Sequence, residues 1–258
     1  MSLRILPLGV GSAFSSRYYG SSCVIQGSGG NILLDCPDPI RKVIREATER
    51  SGWTVRAEDL NEVIVTHLHG DHSNGLEVLG FLHWLQRQQH GTPLPRIHCG
   101  KEVADRLWPK LAPAMDQDGR AGVGDYLDVC PLAESGQRII AGVTVEWRRT
   151  THMIPTWAFR FRVKGASFGW SSDTGFDRSL IDWLAECDAF AHETTPPPYH
   201  TALTELNALP DDIRRKMVLM HLPDTFEPSM TDIRVMQEGV AMEISGGRLE
   251  FMPSLRAE

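Results

Sequence analysis

The chain has 258 residues, is 41% hydrophobic and carries 33 acidic against 26 basic side chains, a net charge of −7. Such a balance exerts no general pull on a polyanion, and no Lys/Arg run forms a basic patch, so a long nucleic-acid partner is not expected. No apolar run is long enough to span a bilayer, and the first residues lack the basic stretch and long apolar core of a secretory signal, which points to the cytoplasm.

The length suits one large α/β unit, and no Pro/Gly/Ser linker, low-complexity tract or fixed repeat divides it, so a single domain over 1–258 is expected. Cys23, Cys36, Cys99, Cys130 and Cys187 are odd in number and lack metal or redox spacing, as expected of reduced, buried thiols. The opening alternates strands, at 3–7, 21–25 and 32–36, with Gly/Ser turns. Residues 38–51 then carry Ile40, Val43, Ile44 and Ala47 at helical spacing.

Next comes the apolar run Val63-Ile64-Val65, and directly after it Thr66-His67-Leu68-His69-Gly70-Asp71-His72. Imidazole and carboxylate are the ligands borderline transition metals prefer, so this density points to a metal site. His67 and His69 stand two apart and can point the same way from an extended segment. Asp71 and His72 follow a glycine and can turn toward a second centre.

Residues 76–89 read as a helix packed on a sheet through Leu76, Leu79, Leu82 and Leu85, 96–100 as a strand and 101–111 as a helix. A strand at 143–147 leads to Thr150-Thr151-His152. At 159–164, Phe159, Phe161 and Val163 alternate with Arg160, Arg162 and Lys164, a half-buried strand with a basic solvent face. Another strand ends in Ser171-Ser172-Asp173, a helix covers 177–185, a further helix 202–216, and Met217-Val218-Leu219-Met220 ends in His221. Each candidate ligand therefore lies where a strand stops, the place where loops converge in layered α/β proteins. Trp157 and Trp170 flank two of them and suit either a pocket wall or the core. His83, His90 and His98 read as structural or solvated, and His200 is left open. Composition and periodicity alone go no further than α/β or α+β.

The arrangement of His-x-His-x-Asp-His, then a single His, an Asp 21 positions on and a His 48 further resembles the metallo-β-lactamase superfamily over nearly the whole chain. Within it, Ala191-His192-Glu193-Thr194-Thr195 and His200-Thr201-Ala202 are similar to the His-Glu-Ala-Thr and His-Ser-Thr segments of the tRNase Z and phosphodiesterase branch. Leu8-Gly9-Val10-Gly11-Ser12-Ala13 and Asp35-Cys36 fit its opening. The chain departs from the branch in three places. Only 20 residues separate His152 from Asp173, too few for the arm that grips tRNA; Pro37 replaces the Gly after Asp-Cys; and Leu222-Pro223-Asp224 replaces the Phe or Tyr-Ser after the last histidine.

The resemblance implies a four-layer αββα sandwich and two divalent metal ions, zinc first, with manganese or iron as substitutes. It assigns His67, His69 and His152 to one ion, Asp71, His72 and His221 to the other, and Asp173 to both. Two such ions, about 3.5–4 Å apart, lower the pKa of a bridging water toward ~7 and clamp an in-line displacement. Asp71 would also orient that water and accept its proton. His192 would serve the phosphoryl oxygens or the leaving alkoxide, its ring fixed by Glu193. The substrate implied is a small phosphodiester, such as a cyclic or short nucleotide or a sugar phosphate. A lactonase or other carbonyl-ester hydrolase is the alternative, and a non-hydrolytic di-iron or ligand-binding protein a further one. A homodimer is left open.

Overall fold

Residues 2–254 are described by the computed structural model; Met1 and residues 255–258, part of the expected domain, lie outside them. The chain opens with β1 (Leu3–Gly9), β2 (Ser22–Gly27), β3 (Gly30–Leu34), β4 (Glu62–Val65), β5 (Arg96–Gly100) and β6 (Asp128–Leu132). A second sheet follows with β7 (Gly136–Ile140), β8 (Val143–Arg149), β9 (Trp157–Val163), β10 (Ala166–Trp170), β11 (Ala189–Glu193), β12 (Met217–Met220) and β13 (Arg234–Val235). The hairpin of β14 (Met242–Ser245) and β15 (Arg248–Phe251) then returns to the first sheet, whose order is β15-β14-β1-β2-β3-β4-β5-β6. The second sheet runs β13-β12-β11-β10-β9-β8-β7.

Strands β4, β10, β11 and β12 are buried along their whole length, as strands covered on both faces are, whereas β8 alternates buried and half-buried positions. Helix α1 (Ile40–Ser51) lays Ile40, Val43, Ile44 and Ala47 on β1 and stops at Gly52, whose φ of 72° is the left-handed value glycine tolerates. The short α2 (Gly70–Ser73) carries the metal motif and leads into α3 (Leu76–His90), while α4 (Lys101–Met115) covers β5 and β6. On the other side α5 (Arg178–Ala185) lies on β10 and β11, capped by the Asp177 carboxylate, which accepts from the Ser179 and Leu180 amides. Two further short helices, α6 (Leu203–Asn207) and α7 (Asp211–Arg214), complete that layer. Helix, sheet, sheet, helix is the expected αββα sandwich, with β1 and β14 facing β10 across the core.

Several local expectations needed correction. The helix expected over 202–216 is two, because Pro210 adopts φ −55° and ψ 146° and cannot donate to a preceding carbonyl. The buried face of α3 is Leu76, Leu79, Gly80 and His83, whereas Leu85 is 45% exposed. A step of three residues falls short of the 3.6-residue turn, so a row of leucines at that step winds off the buried face. Helix α4 runs four residues beyond the expected end despite Pro109 and Pro113, held by the buried stripe Val103, Leu107, Leu111 and Met115. Arg160 is not on a solvent face: its guanidinium is buried between Glu146 and Glu186 and stacks at 4.2 Å on Trp183. Trp157 and Trp170 are core residues, and Cys130 is the one cysteine that is only partly buried.

The sheets touch closely where the β7–β8 turn meets the β2–β3 turn, with the Gly29 amide donating to the Ala141 carbonyl at 2.9 Å. A Cβ on Gly27 would come within 2.1 Å of that carbonyl oxygen. Gly27→Ala should therefore destabilise the protein by about 1–3 kcal/mol, the usual cost of overpacking. Urea unfolding should show it as a lower midpoint at little-changed slope.

Candidate metal centre and its surroundings

The seven expected ligands come from four loops at one end of the sandwich. His67 and His69 leave β4 in extended conformation, Asp71 and His72 sit on α2, His152 lies between β8 and β9, Asp173 follows β10 and His221 follows β12. The loops converge: three sets of potential ligand atoms lie within 4.8 Å of one another, namely His67, His69, His152 and Asp173; Asp71, His72 and His221; and Asp173, His200 and His221. Asp173 joins the first and third sets. It also stands 3.2 Å from His72 Nε2 and 3.4 Å from His221 Nε2, as the bridging position requires.

The outer nitrogens of four rings are already committed. Thr66 Oγ1 donates its one hydrogen to Asp35 Oδ2 and so accepts from His67 Nδ1 at 2.9 Å. Thr195 Oγ1 donates to the His221 carbonyl and in the same way accepts from His221 Nδ1 at 2.9 Å. His72 Nδ1 donates to Asp35 Oδ2 at 2.8 Å, and His152 Nδ1 to the Tyr199 carbonyl at 3.1 Å. With Nδ1 protonated in each, the Nε2 lone pairs of all four rings point inward, the arrangement that metal-binding histidines show. His69 turns Nδ1 inward instead, 3.0 Å from His67 Nε2 and 3.2 Å from His152 Nε2.

These spacings test the fit of a metal. A tetrahedron of donors around an ion at about 2.0–2.1 Å has edges of roughly 3.3–3.4 Å, and the inward atoms here are separated by 3.0–3.8 Å. His72 Nε2 and Asp173 Oδ1 are buried without a hydrogen-bond partner, and such orphans call for an ion or water. The residues present fit two divalent ions.

The electrostatics agree. Burial, with His72 nearby, pushes the His67 imidazole far toward its neutral form, and burial lowers His152 to about 4. Burial also disfavours charge on His72, but Asp173, Asp71 and Asp35 surround it and outweigh that, raising it well above its ordinary value. Asp71 is held below the usual carboxylate range, against its own burial, by His72 and His221. A concentration of carboxylates that holds a proton on a buried imidazole is one that a cation can occupy instead.

Strand alternation separates the next pair. Glu193 and His192 are neighbours on β11 and must face opposite ways. Glu193 faces the centre, where Oε1 accepts from the Thr174 amide at 3.0 Å and lies 2.8 Å from His200 Nδ1. His192 is fully enclosed; its Nδ1 donates to the Glu193 carbonyl at 2.8 Å and burial lowers it to about 4. The expected support of the His192 ring by the Glu193 carboxylate is thus not formed, and His200 receives it. The His200 ring is 5.2 Å from both His152 and His221, while its side chain keeps 21% exposure.

Two contributors escaped the sequence reading. Asp35, at φ 59°, serves both the Thr66 amide and His72 from complete burial. Its signal was an aspartate closing the apolar run Ile32-Leu33-Leu34. Lys110 donates to the Leu68 carbonyl and to Ser73 Oγ, each at 2.8 Å, bracing the motif from α4; nothing local marked it. Arg162 contacts Glu146 at 3.3 Å and, like Arg160, belongs to that ion-paired face of the second sheet.

Fold and site together define a metallo-β-lactamase-fold protein. The chain superposes on the metallo-β-lactamase fold protein YhfI from Bacillus subtilis with a TM-score of 0.74 at 15% identity, covering 94% of this chain and 100% of that one. Against the short form of human tRNase Z the TM-score is 0.69 at 19% identity, covering 92% and 98%. The family described as "Anti-Pycsar protein Apyc1" matches residues 3–240, and the chain belongs to that family. The Apyc1 protein of Paenibacillus sp. (strain J14) is 30% identical over 239 residues, which is 88% of this chain and 92% of the relative. A cGMP-dependent 3′,5′-cGMP phosphodiesterase A of Dictyostelium discoideum is 28% identical over 145 residues, 50% of this chain and 16% of that protein.

Asp35 touches no inward-facing atom of the site, yet it orients two of its residues. Asp35→Asn should weaken metal retention about 10–100-fold, the usual effect of losing such an outer partner. Metal-to-protein ratios after graded chelator challenge would measure it.

Proposed function

We propose that this hydrolase is a phosphodiesterase acting on a small phosphodiester, with a 3′,5′-cyclic nucleotide as the substrate the relatives favour. The observation that carries the reading is the meeting of His200, held by Glu193, with the seven-residue cluster in one space. Two divalent ions there, zinc or else manganese or iron, would supply Lewis acidity and an acidified water. His67, His69, His152 and Asp173 would hold one, and Asp71, His72 and His221, with Asp173, the other.

The chain's own groups account for the rest. The Asp71 carboxylate lies at the edge of the cluster and is the acceptor for the proton of the attacking water. Burial keeps the Glu193 carboxyl protonated, so that it donates to His200 Nδ1. The ring's own proton is then on Nε2, which donates to a phosphoryl oxygen or to the leaving alkoxide, while Glu193 fixes the ring that does so. His192, fully buried and on the opposite face of β11 from Glu193, serves as a buried support of that strand. Between His152 and Asp173 the chain forms only the β9–β10 hairpin, which leaves no arm for a long RNA, and the net charge of −7 adds no attraction for one. No helix among the described residues is long and apolar enough to cross a membrane.

Rates on 3′,5′-cyclic nucleotides, bis-p-nitrophenyl phosphate, a lactone and a precursor tRNA, compared with the same metal-loaded protein, should rank the phosphodiesters first. Lactone turnover above all of them would make the protein a carbonyl-ester hydrolase. His200→Ala should lose ~10²–10⁴-fold in kcat on cyclic nucleotides, the range for a positioned acid, with metal content unchanged. His192→Ala should instead show its main effect in thermal stability, and a loss confined to kcat would reverse the two roles.

A further inference from the structure

The loop between β1 and β2 is bound to the loop after His221, with the Asp224 carboxylate at the centre of the contact. Asp224 Oδ1 accepts from Ser15 Oγ at 2.7 Å and from the Arg17 amide at 3.2 Å, and Oδ2 accepts from the Ser16 amide at 2.9 Å and from Ser16 Oγ at 2.6 Å. Arg17 returns the contact, donating to the Asp224 carbonyl at 3.0 Å and pairing with Glu227 at 3.1 Å. Backbone hydrogen bonds continue the link, from the Ser12 amide to the Leu222 carbonyl and from the Leu222 amide to the Val10 carbonyl. The loop also presses on the metal motif: a Cβ on Gly20 would lie 2.4 Å from the Asp71 carbonyl oxygen.

Between this loop and α2 lies a cleft of about 600 Å³, within the size range of small-molecule sites. Its wall includes Gly70 and Asp71, so an occupant lies against the segment that carries the metal motif. Tyr18 and Pro37 give it flat apolar surface, Asn74 an amide with both donor and acceptor, Ser12 a hydroxyl and Asp38 a carboxylate. No lysine or arginine lines it; the nearby Arg17 guanidinium pairs with Glu227 and the Asp224 carbonyl and lies over one face of the Tyr18 ring, 5.5 Å from its centre. A cleft of this chemistry suits an uncharged, hydrogen-bonding planar group and not a second phosphate.

We propose that this cleft is the subsite for the nucleoside portion of the substrate, and that Asp224 is the positioning residue that holds its loop wall against Asp71. The inference rests on the phosphodiesterase reading. It gives a role to the Leu222-Pro223-Asp224 segment, where the chain departs from the Phe or Tyr-Ser that its resemblance would call for.

The test compares a 3′,5′-cyclic nucleotide with its abasic counterpart, methyl riboside 3′,5′-cyclic phosphate, using metal-loaded protein. Asp224→Asn replaces charged acceptors by a weaker neutral one, so kcat/KM on the nucleotide should fall about tenfold or more, chiefly through KM, and clearly less on the abasic ester. Amide exchange of Ser16 and Arg17 should accelerate in the same variant. Tyr18→Leu, which keeps bulk and removes the ring, should shift the ratio of the two substrates in the same direction. Equal losses on both esters, or none on either, overturn the subsite. If the wild type hydrolyses neither ester, the phosphodiesterase reading fails. The subsite is then judged by NMR with a nucleoside monophosphate as probe: amide shifts within residues 12–20 and at Asn74 support it, and their absence removes it.

Discussion

One buried carboxylate organises the centre. Asp35 directly follows β3 at zero exposure and spends its oxygens on the Thr66 amide, the Thr66 hydroxyl and His72 Nδ1. Burial raises its pKa, and the His72 charge and these hydrogen bonds work in the other direction. Through Thr66 it sets the tautomer of His67 and through its own oxygen that of His72, so one group just beyond β3 fixes a member of each proposed metal set. Removing either partner of such a pair leaves the other buried and unsatisfied, the costly case for a polar interior.

The same end of the molecule stores backbone strain. Asp35, Ser172 and His221 have φ of 59°, 54° and 56°, and all three flank or belong to the cluster. Non-glycine residues adopt this region at a cost of order 1–3 kcal/mol each. Here the cost is offset by hydrogen bonds that hold them: Ser172 Oγ donates to the Trp157 carbonyl at 2.6 Å, and the His221 carbonyl accepts from Thr195. The sheets provide the rigid base, since β3, β4, β10, β11 and β12 all end at this edge. A site made of side chains from strand ends keeps its geometry without disturbing the core beneath it.

The metal motif was legible because ligand chemistry is local: His67, His69, Asp71 and His72 sit in six consecutive positions after a strand, while His152, Asp173 and His221 stood out at strand ends and the resemblance assigned them to the ions. The αββα architecture came from that resemblance, since apolar runs buried on both faces look alike in many α/β folds. What the sequence hid depends on direction. Whether Glu193 supports His192 or His200 turns on strand alternation at β11, and both histidines lie within reach of it along the chain. The short edge strands β6, β7 and β13 and the β14–β15 hairpin carry little periodicity, and tertiary pairing forms them. Arg160 looked exposed from its alternation alone; the presence of Glu146 on β8 and Glu186 beyond α5 put it inside.

The account stands or falls on two ions held by one constellation. Anomalous diffraction from crystals of the protein loaded with zinc or manganese measures this directly. Two peaks about 3.5–4 Å apart, the spacing of dinuclear hydrolytic sites, are predicted on either side of Asp173. One should lie among His67, His69 and His152 and the other among Asp71, His72 and His221. A single peak, or none within reach of Asp173, would contradict it.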